Sequence, residues 1–477
     1  MKSCILVFGI TLVPCAATAQ SSSADYNAVH EQRALEIFRR SVGYRTAISH
    51  GQVPEYARYL ADELLRGGFP QGDVHVLPLT LPSGEVTASL VARYRGNGAS
   101  AERPILLLAH MDVVEALPED WERDPFAMVE EDGFFFGRGT LDNKNGVAMI
   151  LATFLRLKQE GFVPRRDLIL AFTGDEETAM FSSARALATT HRALVDAEFA
   201  LNSDAGNGVL DESGQATSYL VQTAEKTYAT LEFTITNPGG HSARPRTDNA
   251  IYDLAKVLAR IENHRFPVQV NEATRTYFEL SAPITPGPAG AAMGRLATNP
   301  GDTEAAEILW DYPEQVGFTR TTCIPTMLKA GHAENALPQT ATATVNCRIF
   351  PGAEVAEVVE TLRTVAGNEA VTITVLSDPR SSPPSPVDDE VLDAVTAAVN
   401  KTRPGTPVIP FMSAYGTDGL EFRRAGIPTY GSSGVFIKTS DIFNHGLNER
   451  IPVSSFFEGL EYWYTLVTDL AGPPDVR

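Results

Sequence analysis

Imidazole and carboxylate side chains that could bind a divalent metal recur at intervals along the chain. His110 and Asp112 lie two residues apart, directly after an apolar run, so they project to the same side of an extended chain. Such donors suit zinc, and sites with several carboxylates suit a pair of divalent ions. Unpaired buried carboxylates would repel one another, so this set favours a metal. Its members are His110, Asp112, Asp142, Glu176, Glu177, Asp204 and His445.

Position along the chain suggests roles for some of these residues. Asp142 lies in a glycine-rich turn before a helical pattern, which makes it the candidate for a ligand that bridges two ions. Glu176 and Glu177 are adjacent, and adjacent side chains at a strand end point in different directions. One glutamate can therefore bind metal while the other stays free as a general base.

The elements that must hold these residues are the strands of a parallel sheet. Residues 105–109 form a continuous apolar run, which is typical of a strand buried on both faces. Similar runs at 167–173 and 199–201 also lead into candidate ligands. Open α/β sheets build their sites at the carboxyl ends of their strands. Since helical patterns alternate with these runs, we predict the α/β class, built from βαβ units.

A different pattern follows residue 221. Strands near 231–235, 343–349 and 371–375 alternate apolar and polar residues, which is typical of a sheet with one face in solvent. The α/β pattern returns after a Pro/Ser-rich segment. We therefore predict a discontinuous metal-binding domain at 24–222 and 381–477, and an inserted α+β domain at 223–380. Residues 266–320 are expected to form an extra helical excursion.

Composition narrows the partners and the compartment. The net charge of −20 argues against nucleic acid or an anionic membrane as a partner. Residues 1–19 have the form of a signal peptide with cleavage near Ala19, so we expect an exported protein, periplasmic or secreted, without a stable membrane anchor. Cys323 and Cys347 would remain after cleavage, as a disulfide or as two buried thiols.

Short motifs in these regions resemble the M20 family of dinuclear zinc peptidases and deacylases. They occur in the family's order from about residue 109 to residue 449. No HExxH motif, nucleophile elbow or Walker A loop competes with this interpretation. The matching stretches are AHMDVV, GRGTLDNKNG, TGDEE, NSDAG, GGHSARP, GHAENALPQTATATVNCRIFPG, GTDG and HGLNE.

The resemblance implies two zinc ions, although cobalt or manganese could occupy the same ligands. Asp142 would bridge the ions, with His110 and Asp204 completing one site and Glu177 and His445 the other. In the same way, Asp112 would orient His110, and Glu176 would be the general base and acid. Outside the metal site, His241 would stabilise the oxyanion, while Asn335 and Arg348 would bind the terminal carboxylate of a substrate.

The family fold would be a zinc-peptidase catalytic domain with a mixed, largely parallel sheet, plus an inserted α+β lid and dimerisation domain through which a homodimer would form. We expect an exported zinc hydrolase that cleaves an amide bond next to a free carboxylate, as a carboxypeptidase or dipeptidase. The alternatives are an N-acyl amino acid deacylase and a non-catalytic binding protein. The sequence departs from the family pattern at two places. Asn143 stands where the family often has an acidic residue, and residues 178–181 stand where it usually has a small, glycine-containing segment.

Overall fold

The computed structural model describes residues 21–98, 100–178 and 180–473, with side chains from residue 27 onward. The predicted signal peptide and Ala179 lie outside the described residues. In chain order, the strands are β1 (Val74–Thr80), β2 (Val86–Tyr94), β3 (Ile105–His110), β4 (Val129–Glu131), β5 (Phe134–Phe136), β6 (Leu168–Thr173), β7 (Phe199–Asn202), β8 (Gly208–Leu210), β9 (Ala216–Glu225), β10 (Thr227–Thr236), β11 (Gly240–His241), β12 (Thr322–Ala330), β13 (Ala336–Leu337), β14 (Thr340–Ile349), β15 (Thr372–Val375), β16 (Val408–Ser413), β17 (Thr429–Gly431), β18 (Phe436–Lys438) and β19 (Arg450–Pro452).

Helices lie between these strands and account for most of the long connections. In chain order they are α1 (Ser21–Val42), α2 (Val53–Arg66), α3 (Lys144–Gln159), α4 (Ser182–Ala188), α5 (Arg192–Val195), α6 (Ala250–Asn263), α7 (Glu272–Ser281), α8 (Gly287–Thr298), α9 (Thr303–Trp310), α10 (Pro313–Val316), α11 (Val355–Ala366), α12 (Asp389–Thr402), α13 (Gly419–Arg424) and α14 (Val453–Ala471).

The main sheet is mixed, and its centre is parallel. Its strand order is β1-β2-β6-β3-β7-β17-β9-β8-β18, and β16 pairs with β9. Strands β6, β3, β7 and β17 run parallel to their neighbours among these four, whereas β1, β2, β8 and part of β9 pair in the antiparallel sense. The α/β class and the mixed, largely parallel sheet are therefore confirmed.

Burial of both faces explains the continuous apolar run of β3. Leu107 packs into the larger core beneath α1, α3 and α14, together with Phe154 and Trp463. Leu106 and Leu108 point to the opposite face, where α4 and α13 supply the covering side chains. Because successive residues of a strand alternate between faces, a strand covered on both sides must be apolar throughout.

A second sheet lies within residues 223–380 and has its own core. Its order is β12-β14-β10-β15. The inward face packs against α6 and α11, while alternate residues of β10 and β14 are partly exposed. Cys323 and Cys347, directly opposite each other in β12 and β14, form a disulfide with Cα atoms 4.0 Å apart. The one-sided alternation predicted from the sequence is confirmed, while the proposed domain boundaries stay a prediction.

The excursion between α6 and β12 is helical, as expected, and it packs against the main sheet. Phe278, Met293 and Leu309 from α7, α8 and α9 form a cluster with Ile409 and Phe411 of β16. This segment therefore connects the inserted region to the main sheet. Among the described residues, no helix combines the length and apolarity that a membrane span requires.

Candidate metal centre

Three neighbouring strands deliver the predicted ligands to one edge of the main sheet. His110 is the last residue of β3, Asp204 follows β7, and Glu176 and Glu177 form a 3-10 turn after β6. Strands β6 and β7 flank β3 in parallel, so their carboxyl ends meet at the same edge. The juxtaposition of these strand ends follows from the sheet order.

Asp142 lies between the two histidines. His110 Nε2 lies 2.9 Å from Asp142 Oδ1, and His445 Nε2 lies 3.2 Å from Asp142 Oδ2. His110 is also 3.2 Å from Asp204 Oδ1, and His445 is 3.0 Å from Glu177 Oε2. One carboxylate thus faces an imidazole on each side, which is the arrangement that a bridging ligand requires.

Close packing of α3 against the end of β7 makes this arrangement possible. A Cβ atom on Gly146 would lie 2.1 Å from Ser203 Oγ. The hydroxyl of Ser203 donates to Asn143 Oδ1 at 2.7 Å, and its oxygen lies 3.1 Å from Leu108 O. The glycine that ends GRGTLDNKNG therefore lets the first turn of α3 approach the strand ends and hold Asp142 near Asp204.

Asp112 contacts the turn that carries the two glutamates. Its Oδ1 accepts a hydrogen bond from Glu176 N at 3.2 Å, and its Oδ2 accepts one from Glu177 N at 3.0 Å. His110 Nδ1 lies 3.0 Å from the backbone oxygen of Asp112 and 3.7 Å from its carboxylate. Backbone and side chain of Asp112 therefore contact different members of the set.

Burial and mutual repulsion perturb the acids of this cluster. Burial together with neighbouring Asp142 raises the pKa of Glu177 to about 7, although His445 opposes the shift. Burial also raises the pKa of Asp204 to about 6, against the opposing charge of His110. The pKa of Glu176 lies well above its ordinary value because of burial and the Asp204 charge.

The pKa values of the two histidines and of Asp142 shift so as to favour the charged forms of these residues. Contacts with Asp142 and Glu177 raise the pKa of His445 to about 10. Burial opposes a charge on His110, but the surrounding carboxylates outweigh it and raise its pKa well above the ordinary value. For Asp142, burial is outweighed by His110 and His445, which hold its pKa well below its usual range.

The donor set fits divalent metal ions. Among the described residues, two groups have ligand atoms within 4.8 Å of one another: His110, Glu176 and Asp204, and His110, Asp142 and Glu177. Several carboxylates converge there with only two imidazoles, so cations would relieve their repulsion. His445 contacts the second group through Asp142 and Glu177. How these residues divide between two ions stays a prediction.

A pocket of about 400 Å³ opens beside these ligands. One part of its lining is polar and includes the metal-ligand candidates, whereas the other part is apolar. The apolar part comes from the far strands of the main sheet and the loop before His445, and it comprises Leu220, Phe411, Val435, Ile437 and Ile442. Phe411 and Leu220 also pack against the helical excursion, which therefore supports this wall.

The three candidates from the inserted region differ in where they lie. Arg348 Nη1 donates to Ala414 O at 3.0 Å, next to Tyr415, which lines the pocket. His241 and Asn335 are exposed beside the short β11/β13 ladder and do not line the pocket. Arg348 thus contacts a segment next to the pocket without lining the pocket itself, and His241 and Asn335 face solvent.

Several buried residues of the quoted motifs were not assigned from the sequence. Asp175 accepts hydrogen bonds from Ser182 N and Ser183 N at 2.7 and 2.8 Å and so fixes the start of α4. Asp418 accepts a hydrogen bond from the hydroxyl of Thr173, and burial raises its pKa. Arg138 and Glu449 form a buried ion pair at 2.6 Å. One indication in the sequence was that each of these four residues lies within a motif quoted for the family resemblance: TGDEE, GTDG, GRGTLD or HGLNE.

Comparison with known proteins identifies the family. Residues 106–469 match the model of Peptidase family M20/M25/M40, and the chain belongs to this family of hydrolases. It is 34% identical over 382 residues to the N-fatty-acyl-amino acid synthase/hydrolase of Xenopus tropicalis, covering 78% of this chain and 74% of that protein. With carboxypeptidase S of Saccharomyces cerevisiae, the identity is 27%, over 54% of this chain and 47% of the relative.

Solved structures share the fold. An M20 family metallo-carboxypeptidase from Sulfolobus solfataricus aligns with a TM-score of 0.67 at 18% identity, covering 91% of this chain and 98% of that one. Human carnosine dipeptidase 1 aligns with a TM-score of 0.65 at 15% identity, covering 95% and 100%. The family is metal-dependent, in agreement with the cluster of candidate ligands.

Proposed function

We propose that this protein hydrolyses an amide bond next to a free carboxylate, using two divalent metal ions, with zinc as the expected metal. The placement of Asp142 between His110 and His445 is the observation that carries this proposal. His110 and Asp204 would hold one ion and Glu177 and His445 the other, with Asp142 shared. When bound, such a pair polarises the amide carbonyl and lowers the pKa of water.

Glu176 is proposed as the general base and acid. It is buried at the pocket wall, and its backbone is fixed by Asp112. Its carboxylate would take a proton from the attacking water and deliver it to the leaving nitrogen, so that the amide yields a carboxylic acid and an amine. Asp112 keeps Glu176 in place for both transfers.

The apolar part of the pocket supports N-acyl amino acids with an apolar acyl group as substrates. Leu220, Phe411 and Ile437 offer no hydrogen-bonding side chain to a peptide, whereas they suit a hydrocarbon chain. The relatives named N-fatty-acyl-amino acid synthase/hydrolase support the same substrate class. On this proposal, the acyl chain lies along the apolar wall and the amino acid carboxylate points to the rim.

Arg348 is the proposed carboxylate receptor, because it contacts Ala414 O, next to the pocket-lining Tyr415, and can bind a carboxylate bidentately. His241 and Asn335 would act from a second copy of the chain, since both are exposed and neither lines the pocket of its own chain. A homodimer through the inserted region would bring them to the site. We further propose that residues 1–19 direct export.

Peptide hydrolysis is the second candidate function. The similarity to carboxypeptidase S supports it, and a peptide with a free carboxyl end offers the same amide and carboxylate. A carboxypeptidase would use the apolar wall for a penultimate apolar side chain. The two functions therefore differ in their dependence on substrate length. A deacylase should become more active as the acyl chain lengthens, whereas a carboxypeptidase needs only an apolar side chain at that position.

Metal content measured together with hydrolysis tests the proposal. Wild type, Glu176→Gln and the exposed control Glu357→Gln would be assayed against N-acyl amino acids and dipeptides. We expect about two zinc ions per chain in all three, and a loss of about 10²–10⁴-fold in kcat only for Glu176→Gln. Absence of bound metal, or full activity in Glu176→Gln, would contradict the mechanism.

Subunit complementation tests the roles of His241 and Asn335. If His241 acts across a dimer, mixing inactive Glu176→Gln with inactive His241→Ala should restore part of the activity, because one site of the mixed dimer is intact. Light scattering should show the dimer mass. A monomer with full activity would contradict this part of the proposal and leave the metal chemistry untouched.

A further inference from the structure

Glu449 binds the backbone of the loop that carries Asp142. One of its carboxylate oxygens, Oε1, accepts hydrogen bonds from three backbone N–H groups of that loop. The donors are Gly139 N at 3.1 Å, Leu141 N at 2.8 Å and Asp142 N at 3.0 Å. The side chain is fully buried. A buried carboxylate that collects three backbone donors fixes the loop, because each donor would otherwise lack a partner.

Arg138 connects the same carboxylate to the loop that carries His445. Its Nη1 lies 2.6 Å from Glu449 Oε2, and its Nη2 donates to His445 O at 3.4 Å. Arg138 is only 3% exposed, so its charge depends on Glu449 for compensation. The pair therefore touches both loops at once.

Strand pairing explains why residues so far apart in sequence meet. Strands β5 and β19 are antiparallel, with Phe136 opposite Arg450. Residue Gly137 follows β5 and Glu449 precedes β19, and Gly137 N donates to Glu449 O at 3.0 Å. The two loops thus leave the same end of one small ladder, and the ion pair links them just beyond it.

We infer that Glu449 and Arg138 are a positioning pair that holds Asp142 and His445 at the separation required for a shared metal. This inference rests on the proposed metal-dependent function. His445 needs the support because it is half exposed and lies on a loop, at a backbone φ of 61°. His110 and Asp204 do not depend on the pair, since His110 is the last residue of buried strand β3 and Asp204 lies just beyond buried strand β7.

Glu449→Gln is the decisive variant, because it keeps the size of the side chain. The amide oxygen can still accept from the backbone, but the amide nitrogen would face Arg138, so the ion pair is lost. Arg138→Lys is the second variant, since a single ammonium cannot contact Glu449 and His445 O as the guanidinium does. Asp73→Asn is the control: Asp73 is a buried carboxylate paired with Arg95 at 2.6 Å and does not line the pocket.

The test measures the two zinc dissociation constants by competition with a chelator, and unfolding with and without zinc. We expect Glu449→Gln and Arg138→Lys to weaken binding of the ion that Glu177 and His445 would hold by about 10–100-fold. Binding of the other ion should weaken less, because only Asp142 among its proposed ligands depends on the pair, whereas His110 and Asp204 do not. The stabilisation that zinc gives against unfolding should fall in both variants. Asp73→Asn should lose stability without a change in either dissociation constant.

Unchanged zinc affinities in folded Glu449→Gln and Arg138→Lys would overturn the inference, as would equal weakening of both ions, which indicates a general loosening of the fold. Wild type that binds no zinc would instead refute the proposed function. These outcomes separate the failure of the positioning pair from the failure of the metal chemistry.

Discussion

Asp112 Oδ2 accepts a hydrogen bond from the backbone N–H of Glu177 at 3.0 Å. The other carboxylate oxygen, Oδ1, is the one that lies 3.7 Å from His110 Nδ1. Oδ1 also accepts a hydrogen bond from Glu176 N at 3.2 Å. The side chain therefore orients the turn that carries the proposed base and a proposed ligand. His110 Nδ1 lies 3.0 Å from the backbone oxygen of Asp112, closer than the 3.7 Å to its carboxylate.

Asp112→Asn should reduce turnover, because the amide nitrogen would face one of the two backbone N–H groups. We expect kcat to fall by about 10–100-fold, with a smaller change in zinc content. Steady-state kinetics and metal analysis would measure both. Asp211→Asn is a matched control, since Asp211 accepts backbone hydrogen bonds from Ser213 and Gln215 and does not line the pocket. Equal kinetics in the two variants would refute the positioning role of Asp112.

Ile442→Asn should weaken the preference for long acyl groups. Each buried CH₂ contributes about 0.8 kcal/mol, so kcat/KM should rise about fourfold per CH₂ until the apolar wall is covered. Ile442 lines the pocket and is 44% exposed, so the substitution should not unfold the protein. Leu447→Asn is the control on the same loop, because Leu447 is exposed and does not line the pocket. A series of N-acyl amino acids would show a flatter dependence in Ile442→Asn only.

Lys226→Met should change the pH dependence of stability. Burial, with Arg348 nearby, lowers the pKa of Lys226 to about 7, against an ordinary value of 10.5. Between these values, the unfolded chain binds the proton and the folded chain does not, so the free energy of unfolding rises with pH in wild type. Below about pH 7, the folded protein must bury the charge, and the variant should gain most there.

Urea unfolding from about pH 6 to about pH 9 would measure this difference. The advantage of Lys226→Met over wild type should shrink as pH rises. Burial also lowers the pKa of Lys144 to about 7, but Lys144 is present in both proteins and its contribution cancels. A constant difference at every pH would show that Lys226 acts through packing alone.

Removing the disulfide should lower stability. Cys323 and Cys347 are 24 residues apart in sequence, and their bond restricts the unfolded chain. Cys323→Ala with Cys347→Ala should lower the free energy of unfolding by about 2–4 kcal/mol. Wild type treated with a reductant should resemble the double variant. If reductant leaves the unfolding midpoint unchanged, the bond is not present in the purified protein.

The strands of the site, and the positions of its candidate ligands at their ends, were predictable because their signals are local. The apolar runs of β3 and β6 can be recognised within six residues, and each leads directly to candidate ligands. Sequence spacing could not show whether Cys323 and Cys347 form a disulfide or remain two buried thiols, because their pairing depends on the register of β12 against β14. That register also depends on contacts distant in sequence.

Two features could not be predicted because they depend on tertiary packing. The helical excursion could be expected, but nothing in its composition indicates that Phe278 would meet Phe411 of the main sheet. Likewise, Glu449 in a polar loop resembles a solvated charge, and its burial follows only from the pairing of β5 with β19. The roles of His241 and Asn335 stay predictions.

The pairing of β5 with β19 also constrains when the site can form. Arg138 and Glu449 are 311 positions apart, so the loop of Asp142 lacks this anchor until Glu449 has been synthesised. Closing so long a segment costs entropy that only the final contacts repay. A chain that emerges N-terminus first would therefore acquire its metal late. In an exported protein, that ion would come from the compartment where folding finishes, and the metal supply of that compartment would decide which ion is bound.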